Sequence, residues 1–149
     1  MEKRGQVLNG SIGVKGPCMV VALEKWLLKA IIAAVEDDNQ MWREAAPSSR
    51  VIVPPYMYCS VFFSGGDNRP ELPLPYQRLM DGGGEWESYE DVYLGDIITT
   101  ETTFTRYKER EGRAGNLIFL DFESIHQNQH GRTVAKSKTV LINLDKTAV

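Results

Sequence analysis

The strongest periodic pattern in the chain lies over residues 19–35. Leu23, Trp26, Leu27, Ala30, Ile31, Ala34 and Val35 recur there at helical spacing, and Leu28 and Ile32 widen the stripe. Only Glu24, Lys25 and Lys29 mark a wet side. The pattern predicts a helix apolar around most of its circumference, buried by a layer that wraps it, with Trp26 in the core. From Glu85 onward the period changes. Glu85–Tyr89 and Val92–Leu94 are short strand candidates, followed by the turn Gly95-Asp96. Ile97–Tyr107, Leu117–His126 and Thr133–Leu144 predict three longer strands, rich in β-branched residues. The charged turn Arg110–Gly115 and the turn Asn128–Gly131 join them into an antiparallel meander.

One buried helix followed by an antiparallel sheet is α+β. A sheet curled around a central helix is the simplest geometry that buries such a helix. Its open edges invite pairing, so a dimer is expected. Between the two regions, Val51-Ile52-Val53 is an apolar run stopped by Pro54-Pro55, where the chain must turn. Residues 56–63 suit a short helix or a strand equally. Residues 64–84 are irregular, and Asp67-Asn68-Arg69-Pro70 within them reads as a turn or a lid. Residues 1–17, polar and glycine-rich, read as a leader or a loosely attached strand.

Composition narrows the function. A chain of 149 residues with 42% apolar and 25% charged residues is expected to form a single domain, 1–149. A net charge of −3 argues against a large basic surface for nucleic acid. Cys18 and Cys59 sit in apolar stretches and read as buried free thiols, with no zinc-type spacing. No signal-like or membrane-length apolar run is present, so a cytoplasmic protein is expected.

Candidate chemistry clusters after the apolar stripe, at Glu36-Asp37-Asp38-Asn39. The dipole disfavours exposed carboxylates at a helix C-terminus by about 0.3–1 kcal/mol each, so helix-end placement does not explain the cluster. A solvated helix end is the plain alternative. His126 and His130, the only histidines, flank the Asn128–Gly131 turn and read as surface hairpin residues, although a strand position lets His126 face a pocket. Gly82-Gly83-Gly84 suits either an amide cradle for a ligand oxygen or a bulge entering the sheet. Lys108, Arg110 and Arg113 form a basic turn that can meet phosphates or be balanced by Glu109 and Glu111.

The stretch Asp37-Asp38-Asn39-Gln40-Met41-Trp42 resembles the Asp-x-Asn-Pro-Leu-His motif of MaoC-like dehydratases and (R)-specific enoyl-CoA hydratases. Asp37 and Asn39 match; Gln40 replaces the proline, and Trp42 stands where that family has its catalytic histidine. Val51-Ile52-Val53-Pro54-Pro55-Tyr56, Leu79–Glu87, Val92-Tyr93-Leu94-Gly95-Asp96 and Lys108–Gly115 are similar to further family segments in the same order, covering residues 20–144. The resemblance implies a hot-dog fold and hydro-lyase chemistry on acyl-CoA thioesters. Coenzyme A would arrive as part of the substrate, with no metal and no redox cofactor. It further implies Asp37, Asn39 and Asp81 as catalytic candidates, and Trp42, Gly82, Gly83, Gly84 and Arg113 as substrate-binding ones. Asp38 and Glu85 complete the carboxylates that fit a raised-pKa acid.

An indole nitrogen only donates, so Trp42 cannot exchange protons and the family's dyad is broken. Three readings stay open. The chain is the non-catalytic, substrate-shaping half of a heterodimer in which a catalytic MaoC-like hot-dog subunit supplies the intact dyad, a homodimer being the other pairing expected. Or it is a self-sufficient hydratase or dehydratase with altered groups. Or it is a hot-dog thioesterase or acyl-CoA-binding module.

Overall fold

The computed structural model of the chain describes residues 4–43, 50–57, 68–112 and 115–145. A 3-10 helix (Arg4–Ser11) leads into β1 (Met19–Ala22), α1 (Lys25–Ala34) and the short α2 (Gln40–Arg43). The long strands follow: β2 (Arg78–Ser88), β3 (Ile97–Gly112), β4 (Gly115–Gln127) and β5 (Thr133–Leu144). They form one antiparallel sheet in the order β1-β3-β4-β5-β2. The meander β3-β4-β5 follows the alternation in the sequence, and β5 keeps the expected limits. Register shifts at Asp81/Gly84, Phe104/Arg106 and His126/Gln127 add local twist, and the sheet curls into a half-barrel.

The N-terminal half departs from expectation. Met19–Ala22 is not helical; it pairs with Ile97–Thr100 of β3, because Met19 and Val21 alternate inward and the sheet edge supplies backbone partners. The helix that remains has ten residues and one buried stripe, Leu28 and Ile32, flanked by half-buried Leu27 and Ile31. Trp26 is 64% exposed, its indole N–H donating to Glu24 Oε2 at 2.6 Å. The sheet therefore covers one side of this helix and leaves Trp26 outside. α1 packs in a cluster at one end of the sheet with Leu23, Val51, Val53, Val92, Ile98 and Ala135. Residues 55–57 are also helical, and the remainder of residues 56–63, with Tyr58 and Cys59, lies outside the described residues.

The first seventeen residues are not loosely attached either. Leu8 is fully buried in a second cluster with Tyr76, Phe104, Ile118, Leu120 and Phe122. The Phe104 and Phe122 rings meet at 5.5 Å and 49°. Backbone bonds from Gly13 to Phe104 O (2.7 Å) and from Gly16 to Thr102 O (2.9 Å) tie this segment to β3. Cys18, expected inside, is exposed. β2 starts seven residues earlier than the pattern suggested, because Asn143, fully buried on β5, latches its entry. The Asn143 amide donates to Tyr76 O (2.8 Å) and Arg78 O (3.0 Å) and accepts from Tyr76 N–H. Among the described residues no helix is long and apolar enough to cross a membrane.

Candidate functional site

The acidic motif is built by the way α1 ends. Asp37 N–H bonds to Ile32 O (3.1 Å) and Glu36 N–H reaches back to Ala33 O (3.4 Å), a Schellman closure. That closure requires a left-handed residue, and Glu36 takes it at φ 54°. A non-glycine residue there stores roughly 1 kcal/mol of strain. The turn presents the Asp37 side chain. Its Oδ1 accepts the Asn39 N–H at 2.9 Å, and Asn39 Oδ1 in turn accepts the Met41 N–H at 3.0 Å. Asn39 is thus the N-cap of α2. The other Asp37 oxygen accepts the Tyr56 hydroxyl. Burial and the Asp37 carboxylate push the Tyr56 phenol up to about 12, so it stays protonated and donates. Trp42, half-buried, packs against the α1 cluster. The loop offers a fixed carboxylate and a phenol, and the Trp42 indole next in sequence packs on the apolar cluster.

The remaining sequence candidates stand elsewhere. Asp81, Gly82, Gly83 and Gly84 lie on β2 at its bulge. Asp81 is exposed and accepts the Gly83 N–H at 2.9 Å, with Gly83 at φ 99°. One amide of the triple glycine is therefore engaged by the aspartate beside it. A Cβ on Gly84 would sit 3.0 Å from Lys138 O, so the segment lies close against β5. Glu85 and Asp38 are exposed. Arg113 lies outside the described residues, and Arg110 sits over the Phe119 ring at 5.6 Å.

The structure reveals a second polar region that was expected at the surface. His126 is not a surface histidine: it is 1% exposed, on the inner face of β4, while His130 stays exposed on the turn. Its Nδ1 shares a hydrogen with Thr100 Oγ1 (2.8 Å) and its Nε2 with Ser137 Oγ (3.1 Å). Trp86 stacks on the imidazole at 4.9 Å and 18°. Burial lowers the imidazole pKa to about 4, so the ring is neutral near pH 7. Beside it, Asn68 donates to Thr102 Oγ1 (2.7 Å), which pairs with Ser124 Oγ (2.8 Å). Gly16 permits this arrangement: a Cβ there would lie 2.0 Å from Asn68 O. These groups line a cavity of about 180 Å³. The signal was present in the sequence. Strict alternation puts Ile118, Leu120, Phe122, Ser124 and His126 on one face, so a buried Phe122 implies an inward His126.

Asp81 lines the same cavity, but it does not form a dyad with His126. Asp81 faces Leu141 and His126 faces Ala135, six residues apart on β5 or about 20 Å along the strand.

With this geometry in hand, comparison with known proteins places the chain. Residues 22–137 match the family described as FAS1-like, dehydratase domain region. A UPF0336 protein of Thermobifida fusca is 29% identical over 117 residues, covering 73% of this chain and 74% of that one. The MaoC-like dehydratase of Rhodospirillum rubrum superposes with a TM-score of 0.66 at 17% identity, covering 91% of this chain and 93% of that one. A chain of the ChsH1-ChsH2 complex of Mycobacterium tuberculosis gives 0.69 at 15% identity, covering 87% and 84%. The curled five-stranded sheet is that of the hot-dog fold. The chain therefore belongs to the FAS1-like dehydratase domain region family, and its fold is the hot-dog fold of the MaoC-like dehydratase structure.

Proposed function

We propose that this chain is the substrate-shaping half of a hot-dog dehydratase or hydratase assembly acting on acyl thioesters. Coenzyme A belongs to the substrate, and a second hot-dog subunit supplies the proton-exchanging histidine. The observation that carries this reading is Trp42. Hydration of an enoyl thioester needs a base to activate water and an acid to protonate the α-carbon. The Asp37 loop keeps the carboxylate, but an indole packed on the apolar cluster stands at the second position. The nearest described proton-bearing partner of Asp37 is Tyr56, whose pKa near 12 leaves it a poor acid at neutral pH. Likeness to a chain from a two-component hot-dog complex is consistent with partnering.

The test is hydration of trans-2-enoyl-CoA substrates, followed as loss of the conjugated absorbance. The chain alone is expected to be silent, with activity appearing when a MaoC-like subunit carrying an intact Asp-x-Asn-Pro-Leu-His motif is added beyond that subunit's own rate. Turnover by the chain alone that vanishes in Asp37→Asn overturns the reading in favour of self-sufficient catalysis.

A further inference from the structure

Between its two apolar clusters the inner face of the sheet carries the polar belt around His126. The outer face is organised differently. Where β3 runs into its hairpin, Arg106, Lys108 and Arg110 alternate with Tyr107, Glu109 and Glu111. Alternation along a strand sends the two sets to opposite faces. Tyr107 and Glu109 turn to the N-terminal segment: the Tyr107 hydroxyl donates to Asn9 Oδ1 (3.0 Å), and Glu109 Oε2 accepts the Gly5 N–H (3.3 Å). The acids therefore do not balance the basic residues on the far face. There the register lays out two rows across four strands. One runs Arg110, Leu117, Leu144, Arg78, and the next Lys108, Phe119, Ile142, Met80. Leu117, Phe119 and Ile142 are half-buried, Met80 is exposed, and Arg110 lies 5.6 Å from the centre of the Phe119 ring. In the following row Arg106 is held by Asp121, Nε to Oδ2 at 2.7 Å. Among the described residues no ion pair engages Arg78, Lys108 or Arg110. Further along, Glu123, Lys138 and Glu85 stand in register and mix the two signs, which ends the basic surface.

We propose that this outer face docks an acidic amphipathic helix of a partner protein. Neighbouring strands lie about 4.8 Å apart, so Arg110 and Arg78 stand roughly 14 Å from each other across the apolar rows. A helix with its side chains is about 10–12 Å wide and lies between them. Its apolar stripe covers Phe119, Ile142 and Met80, while carboxylates on its flanks meet Lys108 and Arg110 on one side and Arg78 on the other. Gly82 keeps the floor clear: a Cβ there would press on Val140 and Ile142 at 3.0–3.2 Å. The apolar centre separates this occupant from other anions. A nucleic-acid backbone or a free phosphate makes no use of it, and a net charge of −3 opposes a long polyanion. A lipid surface is gripped by apolar side chains that reach into it. Here Leu117, Phe119 and Ile142 lie half-buried among exposed lysine and arginine side chains. Such docking is independent of the acyl-thioester reading, because it asks nothing of the Asp37 loop.

The test follows backbone amide resonances of the whole chain during titration with a designed helical peptide of about 18 residues. The peptide carries leucine at i, i+3, i+4 and i+7, glutamate beside that stripe and alanine behind it. It is expected to move Arg78, Met80, Lys108, Arg110 and Phe119 while leaving Asp37 and His126 in place. Lys108→Glu combined with Arg110→Glu is expected to weaken binding at least tenfold. Arg78→Glu, on the opposite flank and outside the hairpin, is expected to weaken it about threefold, and the amide spectrum of each variant reports whether it folds. A peptide with alanine in place of leucine is expected to bind at least fivefold more weakly. Equal binding by that peptide reduces the surface to plain charge attraction and overturns the proposal, as does equal binding by a peptide with lysine in place of glutamate. No response to the acidic peptide overturns it too. Vesicles of phosphatidylglycerol that engage these residues more tightly than the peptide would make the face a lipid-binding one instead.

Discussion

The Asp37 loop and the His126 belt are both polar regions beside the same apolar cluster, and they are built in opposite ways. The loop is local. Asp37 and Asn39 are oriented by the closure of α1, by each other's backbone and by the cap of α2, all within ten residues, with Tyr56 added from the next segment. The belt is wholly non-local: Asn68, Thr102, Ser124, His126 and Ser137 come from a loop and three strands. The loop is partly exposed, so its groups keep access to water. The belt is buried, so each member left without its partner costs the full desolvation of a polar group. A motif can therefore be legible and altered, while a region with no motif is structurally demanding.

The largest expected effect separates the two directly. His126→Ala removes a buried ring, opens a void beneath Trp86 and strands Thr100 and Ser137; a loss of about 3–5 kcal/mol is expected in urea unfolding. A loss below 1 kcal/mol would show that the belt is no more constrained than the loop.

Acid should sharpen the same contrast. The folded His126 pKa of about 4 lies below the ordinary value of 6.5, so the unfolded chain takes up the proton first. Its contribution is fully present above pH 6.5 and is lost as pH falls towards 4, amounting to about 3 kcal/mol. Denaturant midpoints measured between pH 7 and 4 should show this loss in the wild type. His126→Gln should lack that part of the slope, and an unchanged slope would break the assignment.

The loop predicts smaller effects of the opposite kind. Glu36→Gly relieves the left-handed strain at φ 54° and should raise stability by up to about 1 kcal/mol, a Tm increase of roughly 2–4 °C. A decrease would mean that the glutamate side chain makes a contact worth more than the strain. Asp37→Asn should change stability least, within about 1 kcal/mol, because an amide oxygen still accepts from Asn39 N–H. Its signature is spectroscopic. The Tyr56 titration near 12 should move down yet stay above 10, since burial, the larger cause, remains when the carboxylate is gone. Phenolate absorbance in the difference spectrum of the two proteins reads it.

By itself the sequence determined the meander. The alternation from Ile97 to Leu144, with Asn128–Gly131 and the glycines near residue 115 as turns, leaves one register in which Phe104, Phe122 and Leu120 face inward. It also made the Asp37–Trp42 stretch legible, because that pattern is local and read residue by residue. Tertiary structure decided the rest. Met19–Ala22 falls in the span whose pattern reads as helix, yet its two valines suit a pleated edge and it pairs with β3 as a strand. α1 exposes Trp26 because packing covers only the Leu28–Ile32 stripe. The belt, finally, exists only where strands distant in sequence bring hydroxyls and an imidazole within hydrogen-bond reach, and no window along the chain contains that proximity.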